Sequence, residues 1–188
     1  MKILAIADAS PTQSLKSLVE KNKVELICTL GDLNFFDLRE LSEITEIPKI
    51  GVYGNHDSGK YFESLGILNL HLKTFEYKGF IFGGFEGCVR YKSSPEAIMC
   101  SQEEAEELLK NFPRVDVMIT HCPPYGINDE PEDLAHQGFL ALRKYLETKK
   151  PKYLLHGHTF PKPGKMVEQF GETKIVFVWR EKIVELTK

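Results

Sequence analysis

Several short apolar runs in this sequence are each followed by Asp, Asn or His, and this pattern restricts the possible folds more than any other feature. The runs span residues 3–7, 24–29, 50–53, 115–120 and 153–156. Short, nearly continuous apolar runs are typical of strands buried on both faces. Because ligands bind beyond the carboxyl ends of strands in open α/β sheets, these polar residues predict a functional site along one sheet edge.

Amphipathic segments lie between the runs and predict helices packed on a sheet. Apolar side chains recur at helical spacing at Leu15, Leu18 and Val19, at Leu38, Leu41 and Ile44, at Ala105, Leu108 and Leu109, and at Leu140, Leu142, Tyr145 and Leu146. The alternation of strand and helix is the signature of an α/β layered fold with parallel strands.

Two stretches depart from this alternation and predict antiparallel strands. Segments 72–77 and 80–84 flank Lys78 and Gly79, a pair that favours a hairpin turn. The tail 166–185 contains three strand-like runs, which we expect to be separated by Gly171-Glu172 and by Arg180-Glu181. We expect these final strands to serve a second sheet that faces the first. The predicted fold class is therefore α/β, with two mixed sheets flanked by helices.

Composition excludes several broad classes of protein. The 188 residues are 42% hydrophobic and 27% charged, as in a globular chain, and we expect one domain over residues 1–188. The net charge of -3 argues against binding to a nucleic-acid backbone. The sequence has neither a secretory signal pattern nor an apolar run near ~18 residues, so we expect a cytoplasmic protein without a membrane partner. The four cysteines are far apart, which predicts reduced thiols.

The polar residues at the predicted strand ends have the chemistry of metal ligands. They are Asp8, Asp32, the segment 55–57, His121 and the pair His156 and His158. Any one of them alone could equally be a turn residue, a helix cap or a surface histidine. Carboxylate, amide and imidazole groups together suit a divalent ion such as Mn, Fe, Zn or Ni. A carboxylate can also bridge two ions about 3.5 to 4 Å apart, the geometry that supports phosphate-ester hydrolysis.

These motifs resemble those of the calcineurin-like metallophosphoesterase superfamily. The matching blocks are Asp8, GD at 31–32, GNHD at 54–57, the His of THCPP at 121 and GH at 157–158. They follow that family's order from residue 8 to residue 160, and the combination of GNHD with GD and a late GH is highly specific. The resemblance implies a four-layer α/β/β/α sandwich with metal ions at the sheet edges.

The resemblance also implies a ligand set. Asp32 would bridge two metal positions, and Asn55, His121 and His158 would complete one of them. Asp8 would belong to the other position. We therefore expect a divalent cofactor, with one ion bound tightly.

The same resemblance implies a hydrolase that cleaves a phosphomonoester or phosphodiester by in-line attack of a metal-bound hydroxide. His56 would face the scissile phosphate, with Asp57 orienting its imidazole. Asn55 would also contact substrate, and Arg90, just beyond the glycine-rich segment 82–87, is a further candidate for phosphate contact. The expected partner is a small phosphoester.

Two positions depart from the family's pattern. The first block is normally Asp-x-His and the last Gly-His-x-His, but this chain has Ser10 and Phe160 at those histidine positions. Both losses fall on the metal position that uses Asp8, so a second ion should bind weakly or not at all. Two interpretations remain open: a hydrolase with one metal position depleted of ligands, or a catalytically degenerate binding or scaffold protein.

Residues outside these motifs could replace the two missing histidine ligands, or could have only structural roles. His156 could share a face with His158, and His136 lies in an acidic segment with Asp129, Glu130 and Asp133; both roles remain open. Cys122 follows His121, but a buried packing role is expected because no base is placed for it. A homodimer through the final strands is a further hypothesis, and the substrate's identity stays undetermined.

Overall fold

The computed structural model describes residues 1–162 and 164–188, and two β-sheets form its centre. The strands are β1 Lys2–Ala7, β2 Leu26–Thr29, β3 Lys49–Gly51, β4 Leu68–Asn69, β5 Thr74–Tyr77, β6 Phe80–Phe85, β7 Cys88–Val89, β8 Met99–Cys100, β9 Val117–Thr120, β10 Tyr153–His156, β11 Gln169–Phe170, β12 Thr173–Phe177 and β13 Arg180–Glu185. The first sheet has the order β13-β1-β2-β3-β4, the second has β11-β12-β10-β9-β6-β5, and β7 pairs with β8.

Both sheets are mixed, with a parallel centre and antiparallel edges. In the first sheet β1, β2, β3 and β4 run parallel, and β13 pairs antiparallel with β1. In the second sheet β12, β10, β9 and β6 run parallel, while β11 and β5 pair antiparallel at the two edges. The parallel strands of each sheet therefore end at a common edge.

Helices cover the outer face of each sheet. They are α1 Leu15–Asn22, α2 Phe35–Leu38, the 3-10 helix Arg39–Glu43, α3 Phe62–Leu65, α4 Gln102–Leu109 and α5 Leu140–Lys149. Ser101 begins α4 with a capping box, in which its hydroxyl accepts from the Glu104 N–H and the Glu104 carboxylate accepts from the Ser101 N–H.

Alternation along the central strands separates three apolar layers. In β1, Ile3 and Ala5 point toward the second sheet, where they share a buried cluster with residues such as Ile119. Leu4 and Ile6 point the other way, into a cluster with the helices of the first half. Met118 and its neighbours pack the second sheet on α4 and α5. The prediction of two mixed sheets flanked by helices, as an α/β/β/α sandwich, is confirmed.

The predicted hairpin is present as β5 and β6. Its turn residues Lys78 and Gly79 have φ of 48° and 76°, the left-handed pair that matches the twist of a two-residue hairpin.

The prediction for the C-terminal tail is wrong in one part. Arg180 and Glu181 do not separate two strands; they begin β13, and the break lies at Val178 and Trp179. β13 also joins the first sheet, where Arg180 pairs with Ala7, rather than the second. The charged pair Arg180 and Glu181 suggests a turn when only the sequence is considered. An edge strand such as β13, unlike a central strand, can carry charged side chains on its exposed face.

Among the described residues, the helices are all too short or too polar to cross a membrane.

Candidate metal centre

The predicted ligands follow parallel strands of both sheets and meet where the sheet edges adjoin. Asp8 follows β1, Asp32 follows β2 and Asn55 follows β3 in the first sheet; His121 and His158 follow β9 and β10 in the second. The ligand atoms of Asp32, His121 and His158 all lie within 4.8 Å of one another. The structure thus brings the predicted ligands of both halves of the chain together.

Four polar atoms form a cluster that includes the Nε2 of His121. This nitrogen lies 3.1 Å from the Asn55 Oδ1, 3.1 Å from the His158 Nδ1 and 3.4 Å from the Asp32 Oδ2. Ligand atoms that share one ion at ~2.1 Å lie about 3.0 to 3.4 Å apart in octahedral or tetrahedral geometry. The spacing of the cluster fits a single divalent ion.

Hydrogen bonds behind the two imidazoles set which nitrogens are free. The Nδ1 of His121 donates to the Leu30 carbonyl oxygen at 2.8 Å, and the Nε2 of His158 donates to the Ala135 carbonyl oxygen at 2.9 Å. The remaining nitrogens, with the Asn55 and Asp32 oxygens, are then acceptors that face each other. Acceptors crowded together repel unless a cation lies between them, so the donor set fits a metal.

The pKa shifts of the cluster residues also indicate that a positive charge is favoured at this position. Burial alone would lower the pKa of His121, yet the carboxylates of Asp32 and Asp8 raise it to about 9. Burial opposes ionisation of Asp32, but the charge of His121 and its hydrogen bonds lower that pKa to about 2. Burial and the charge of His121 lower the pKa of His158 to about 3, which leaves its imidazole neutral. One proton at His121 and one divalent ion are therefore competitors for the same place.

Glycine residues permit the tight turns that present the ligands. Asp32 itself has φ of 52° and follows Gly31, whose φ is 92°. A Cβ on Gly31 would lie 2.8 Å from the Nδ1 of His121, and one on Gly54 would overlap the Asp32 carboxylate. The glycines of the GD and GNHD motifs are needed because backbone and ligand side chains pass in direct contact.

Asp8 lies at the centre's edge and holds the turn that carries His158. Both of its carboxylate oxygens accept from the His158 backbone N–H at 3.0 Å. A Cβ on Gly157 would overlap this carboxylate. Burial raises the pKa of Asp8 to about 6, partly offset by the charge of His121. Asp8 thus has a structural contact to His158 that the sequence did not indicate.

Asp57 has different partners from the one predicted. Its oxygens accept from the backbone N–H groups of Asp32 and Gly54 at 2.8 and 2.6 Å, from the Leu33 N–H at 3.1 Å and from the Tyr61 hydroxyl at 2.7 Å. The His56 imidazole is not among its hydrogen-bond partners. The carboxylate instead joins the loops after β2 and β3, which present Asp32 and Asn55.

His56 is exposed beside the cluster, as expected of a group that meets substrate. Its backbone N–H donates to the Asp32 Oδ1 at 2.8 Å, which fixes the loop. Two adjoining clefts share His56 and Asp57; one, of about 390 Å³, includes Asp8, Asp32 and Arg180, and the other, of about 690 Å³, includes Lys60 and Lys92. His56 therefore stands between the metal cluster and open cleft space.

Ser10 and Phe160 contribute no ligand to the cluster. The Phe160 ring is 55% exposed and packs on Trp179 at a centroid distance of 4.3 Å. Ser10 lines the smaller cleft, and its carbonyl oxygen accepts from the Arg180 guanidinium at 2.9 Å.

The remaining candidates lie outside the cluster. His156 is fully buried, and its Nε2 meets the Asn128 amide at 3.0 Å. His136 pairs with Asp133 at 2.7 Å in a second group with Glu130, and its ring centroid is 5.7 Å from that of His158. Arg90 is exposed and paired with Glu104 on α4 at 2.7 Å, and it lines neither cleft.

Some residues at the site were missed by the sequence prediction. Arg180, Lys60 and Lys92 line the clefts, and Tyr61 supports Asp57. Lys60 and Tyr61 closely follow the GNHD block, which could have flagged them. Arg180 escaped the prediction because the sequence indicates a turn at this position, whereas the structure has the start of a strand.

The fold and the ligand set define the class of the protein as a metal-binding α/β/β/α sandwich. The chain belongs to the calcineurin-like phosphoesterase family, whose sequence model matches residues 1–161. This is a family of metal-dependent phosphoesterases, and the resemblance predicted from the motifs is confirmed. No curated protein matches the sequence significantly.

Solved structures share the fold. One crystal structure is 20% identical with a TM-score of 0.66, covering 93% of this chain and 89% of the other. The crystal structure of TT1561 of Thermus thermophilus is 21% identical with a TM-score of 0.64, covering 94% of this chain and 88% of that one. At these identities the similarity establishes the architecture.

Proposed function

We propose that this chain is a hydrolase of small phosphoesters that works with one firmly bound divalent ion. The observation that carries the proposal is the cluster of four acceptor atoms that includes the Nε2 of His121, with the imidazole protons directed away to Leu30 and Ala135. Asp32, Asn55, His121 and His158 would hold the ion. When bound, a divalent ion supplies a nucleophile at neutral pH and neutralises phosphoryl charge.

The protein's own residues would position and protonate the substrate. The exposed His56 lies beside Asp32 and between the two clefts, where its imidazole can donate a proton to the leaving oxygen. Asp57 holds both ligand-bearing loops through four hydrogen bonds. Its function in this scheme is to keep Asp32 and Asn55 in place.

The depleted second position forms part of the proposal. Phe160 packs on Trp179, and Ser10 presents a carbonyl oxygen to Arg180, so neither supplies an imidazole to the Asp8 side. We expect elemental analysis of the protein, purified with excess Mn²⁺ and then gel-filtered, to find about one ion per chain.

The decisive test is hydrolysis by variants that separate metal binding from chemistry. Protein stripped with a chelator and reloaded with Mn²⁺, Fe²⁺, Zn²⁺ or Ni²⁺ is assayed with p-nitrophenyl phosphate and bis(p-nitrophenyl) phosphate. Asp32→Asn should lose both metal and turnover. His56→Ala should keep the metal and lose about 10²- to 10⁴-fold in kcat, the usual contribution of a general acid.

A matched control is Asp37→Asn, which changes a carboxylate of the same cleft outside the ligand cluster. Its turnover should stay close to that of the unchanged protein. If no divalent ion supports turnover of either ester, the hydrolase proposal fails and a binding role takes its place. If Asp32→Asn is as active as Asp37→Asn, the activity does not depend on the proposed metal centre, and that assignment fails.

A further inference from the structure

Arg180 lies at the junction of the two sheets, in the smaller of the two clefts at the candidate metal centre. It pairs in register with Ala7, the residue before Asp8. The preceding residues Val178 and Trp179 carry the chain from β12 of the second sheet to β13 of the first. Arg180 also lines the smaller cleft together with Asp8, Asp32 and His56. A cationic side chain therefore stands on the side of the cleft where Ser10 and Phe160 supply no ligand.

The guanidinium keeps most of its hydrogen-bonding capacity unused. Of its five N–H donors, one donates to the Ser10 carbonyl oxygen at 2.9 Å. Within residues 1–162 and 164–188 it forms no salt bridge within 4.0 Å, although Asp8, Asp32 and Asp37 line the same cleft. A half-buried arginine with free donors in a cleft is suited to bind an anion.

The backbone of Arg180 is held in an unfavourable conformation. Its φ is 61°, in the left-handed region that non-glycine residues rarely adopt. Glycine would adopt this backbone conformation without strain. The presence of arginine instead indicates that its side chain has a function at this position.

We propose that Arg180 binds the phosphoryl group of the substrate, supplying positive charge in the cleft that it shares with Asp8, Asp32 and His56. Its planar donors match two phosphoryl oxygens at once, which an ammonium group cannot do as specifically. The inference rests on the proposed function, since it takes a phosphoester as ligand, but phosphate binding can be measured without turnover.

A purely structural role is the competing explanation. Arg180 and Glu181 both hold the loop after β1, because Glu181 accepts from the Thr12 backbone N–H at 3.0 Å while Arg180 donates to Ser10. Glu181→Ala therefore loosens the same loop without removing the cation. Arg180→Gln keeps an amide donor for the Ser10 carbonyl but has no charge.

The experiment measures binding of radiolabelled inorganic phosphate to the Mn²⁺-loaded full chain by equilibrium dialysis. Arg180→Gln should weaken phosphate binding about 10- to 100-fold, the usual loss of hydrogen bonds to a charged group. Arg180→Lys should fall between Arg180→Gln and the unchanged protein, and Glu181→Ala should stay within about twofold of the unchanged protein. Metal content, measured by elemental analysis, should be equal in all variants.

The inference is overturned if the unchanged protein binds no phosphate, if Arg180→Gln binds within about twofold of it, or if Glu181→Ala weakens binding as much as Arg180→Gln. Should Arg180→Gln fail to fold, Arg180→Lys takes its place. The inference is then overturned if Glu181→Ala weakens phosphate binding as much as Arg180→Lys. Arginine-dependent phosphate binding without hydrolysis would sustain this inference and refute the proposed hydrolase. Hydrolysis together with phosphate binding that does not depend on the arginine would refute this inference and sustain the proposed hydrolase.

Discussion

At the scale of the residue, the hydrogen bond behind His121 leaves its other ring nitrogen free to bind a metal. The Leu30 carbonyl oxygen accepts a hydrogen bond from Nδ1–H, which leaves the lone pair of Nε2 directed toward Asn55, Asp32 and His158. The ring is fully buried and cannot turn to water. An outer hydrogen bond of this kind fixes both the tautomer and the orientation of a ligand.

Asp8 and Asp32 should respond differently to loss of charge. In Asp8→Asn the new amide oxygen can still accept from the His158 N–H, so this variant should keep about one ion per chain with nearly unchanged affinity. Asp8→Ala removes the acceptor for that N–H and should weaken metal binding about tenfold, the usual effect of losing an outer-shell partner. Asp32→Asn should abolish tight binding.

Competition titration with a metal-sensitive dye checks these three variants. If Asp8 is instead a ligand of a second tightly held ion, the unchanged protein will contain two ions and Asp8→Asn will contain one. That result would contradict the single firm position proposed above.

The cysteines should be slow to react in the folded protein. Burial raises the pKa of Cys88 and of Cys100 to about 12, and raises that of Cys122 well above its ordinary range. At pH 8 a thiol of pKa ~12 holds about a thousandfold less thiolate than an ordinary cysteine. Alkylation with iodoacetamide, followed by mass spectrometry, should therefore be slow in buffer and fast in guanidinium chloride.

An exposed thiol provides the control for that measurement. Ser42→Cys places a cysteine at an exposed position of the 3-10 helix and should react promptly at this added site alone. Rapid labelling of Cys122 in the folded chain would show that its thiol is activated, contrary to the packing role assigned here.

At the scale of the element, the loops after β2 and β3 behave as one unit because Asp57 joins them. Its carboxylate receives three backbone N–H groups and the Tyr61 hydroxyl. Burial raises the pKa of Asp57, while the N–H of Gly54 and the Tyr61 hydroxyl favour its charged form. The loops that carry Asp32 and Asn55 are therefore held together by the fold itself.

Removing this junction should destabilise the fold. Asp57→Ala leaves buried donors without a partner and should lower the free energy of unfolding by about 3 kcal/mol, whereas Tyr61→Phe, which removes one of four donors, should cost about 1 kcal/mol. Urea unfolding of the metal-free proteins measures both effects. Asp37→Asn, in the adjacent helix α2, should change stability little, and equal losses in Asp57→Ala and Tyr61→Phe would contradict the assigned junction.

At the scale of the whole molecule, a bound ion would connect the two sheets. Asp32 and Asn55 belong to loops of the first sheet, and His121 and His158 to loops of the second. Because the ion binds only the folded arrangement, a hundredfold excess over its Kd stabilises the fold by about 2.7 kcal/mol. For a chain of this size that corresponds to a rise of about 5 to 10 °C in Tm.

Thermal unfolding with and without Mn²⁺ measures this coupling. His158→Ala should lose most of the Tm increase, while His136→Ala, which removes a half-buried neighbouring imidazole, should retain it. If His136→Ala loses the increase instead, the ion lies in the group of Glu130, Asp133 and His136 rather than at the predicted centre.

Much of the fold, and the grouping of polar residues at its strand ends, could be predicted because these signals are local. A buried parallel strand is a short apolar run, and the residue after it lies at the sheet edge whatever the rest of the chain does. Asp8, Asp32, Asn55, His121 and His158 all follow strands at the sheet edges, as predicted. The start of β13 and the sheet to which it belongs were predicted wrongly, because an edge strand can begin with charged residues that otherwise suggest a turn.

The sequence by itself therefore determined the layered fold, the family and the polar residues that follow its strands. Only the tertiary structure decided which groups surround these residues: Ala135 behind His158, Asp57 between two loops, and Arg180 in the smaller cleft. These contacts join segments far apart in the chain, and no spacing in the sequence encodes them. Their distances follow from how the two sheets pack, which is set by the whole apolar layer between the sheets rather than by any one motif.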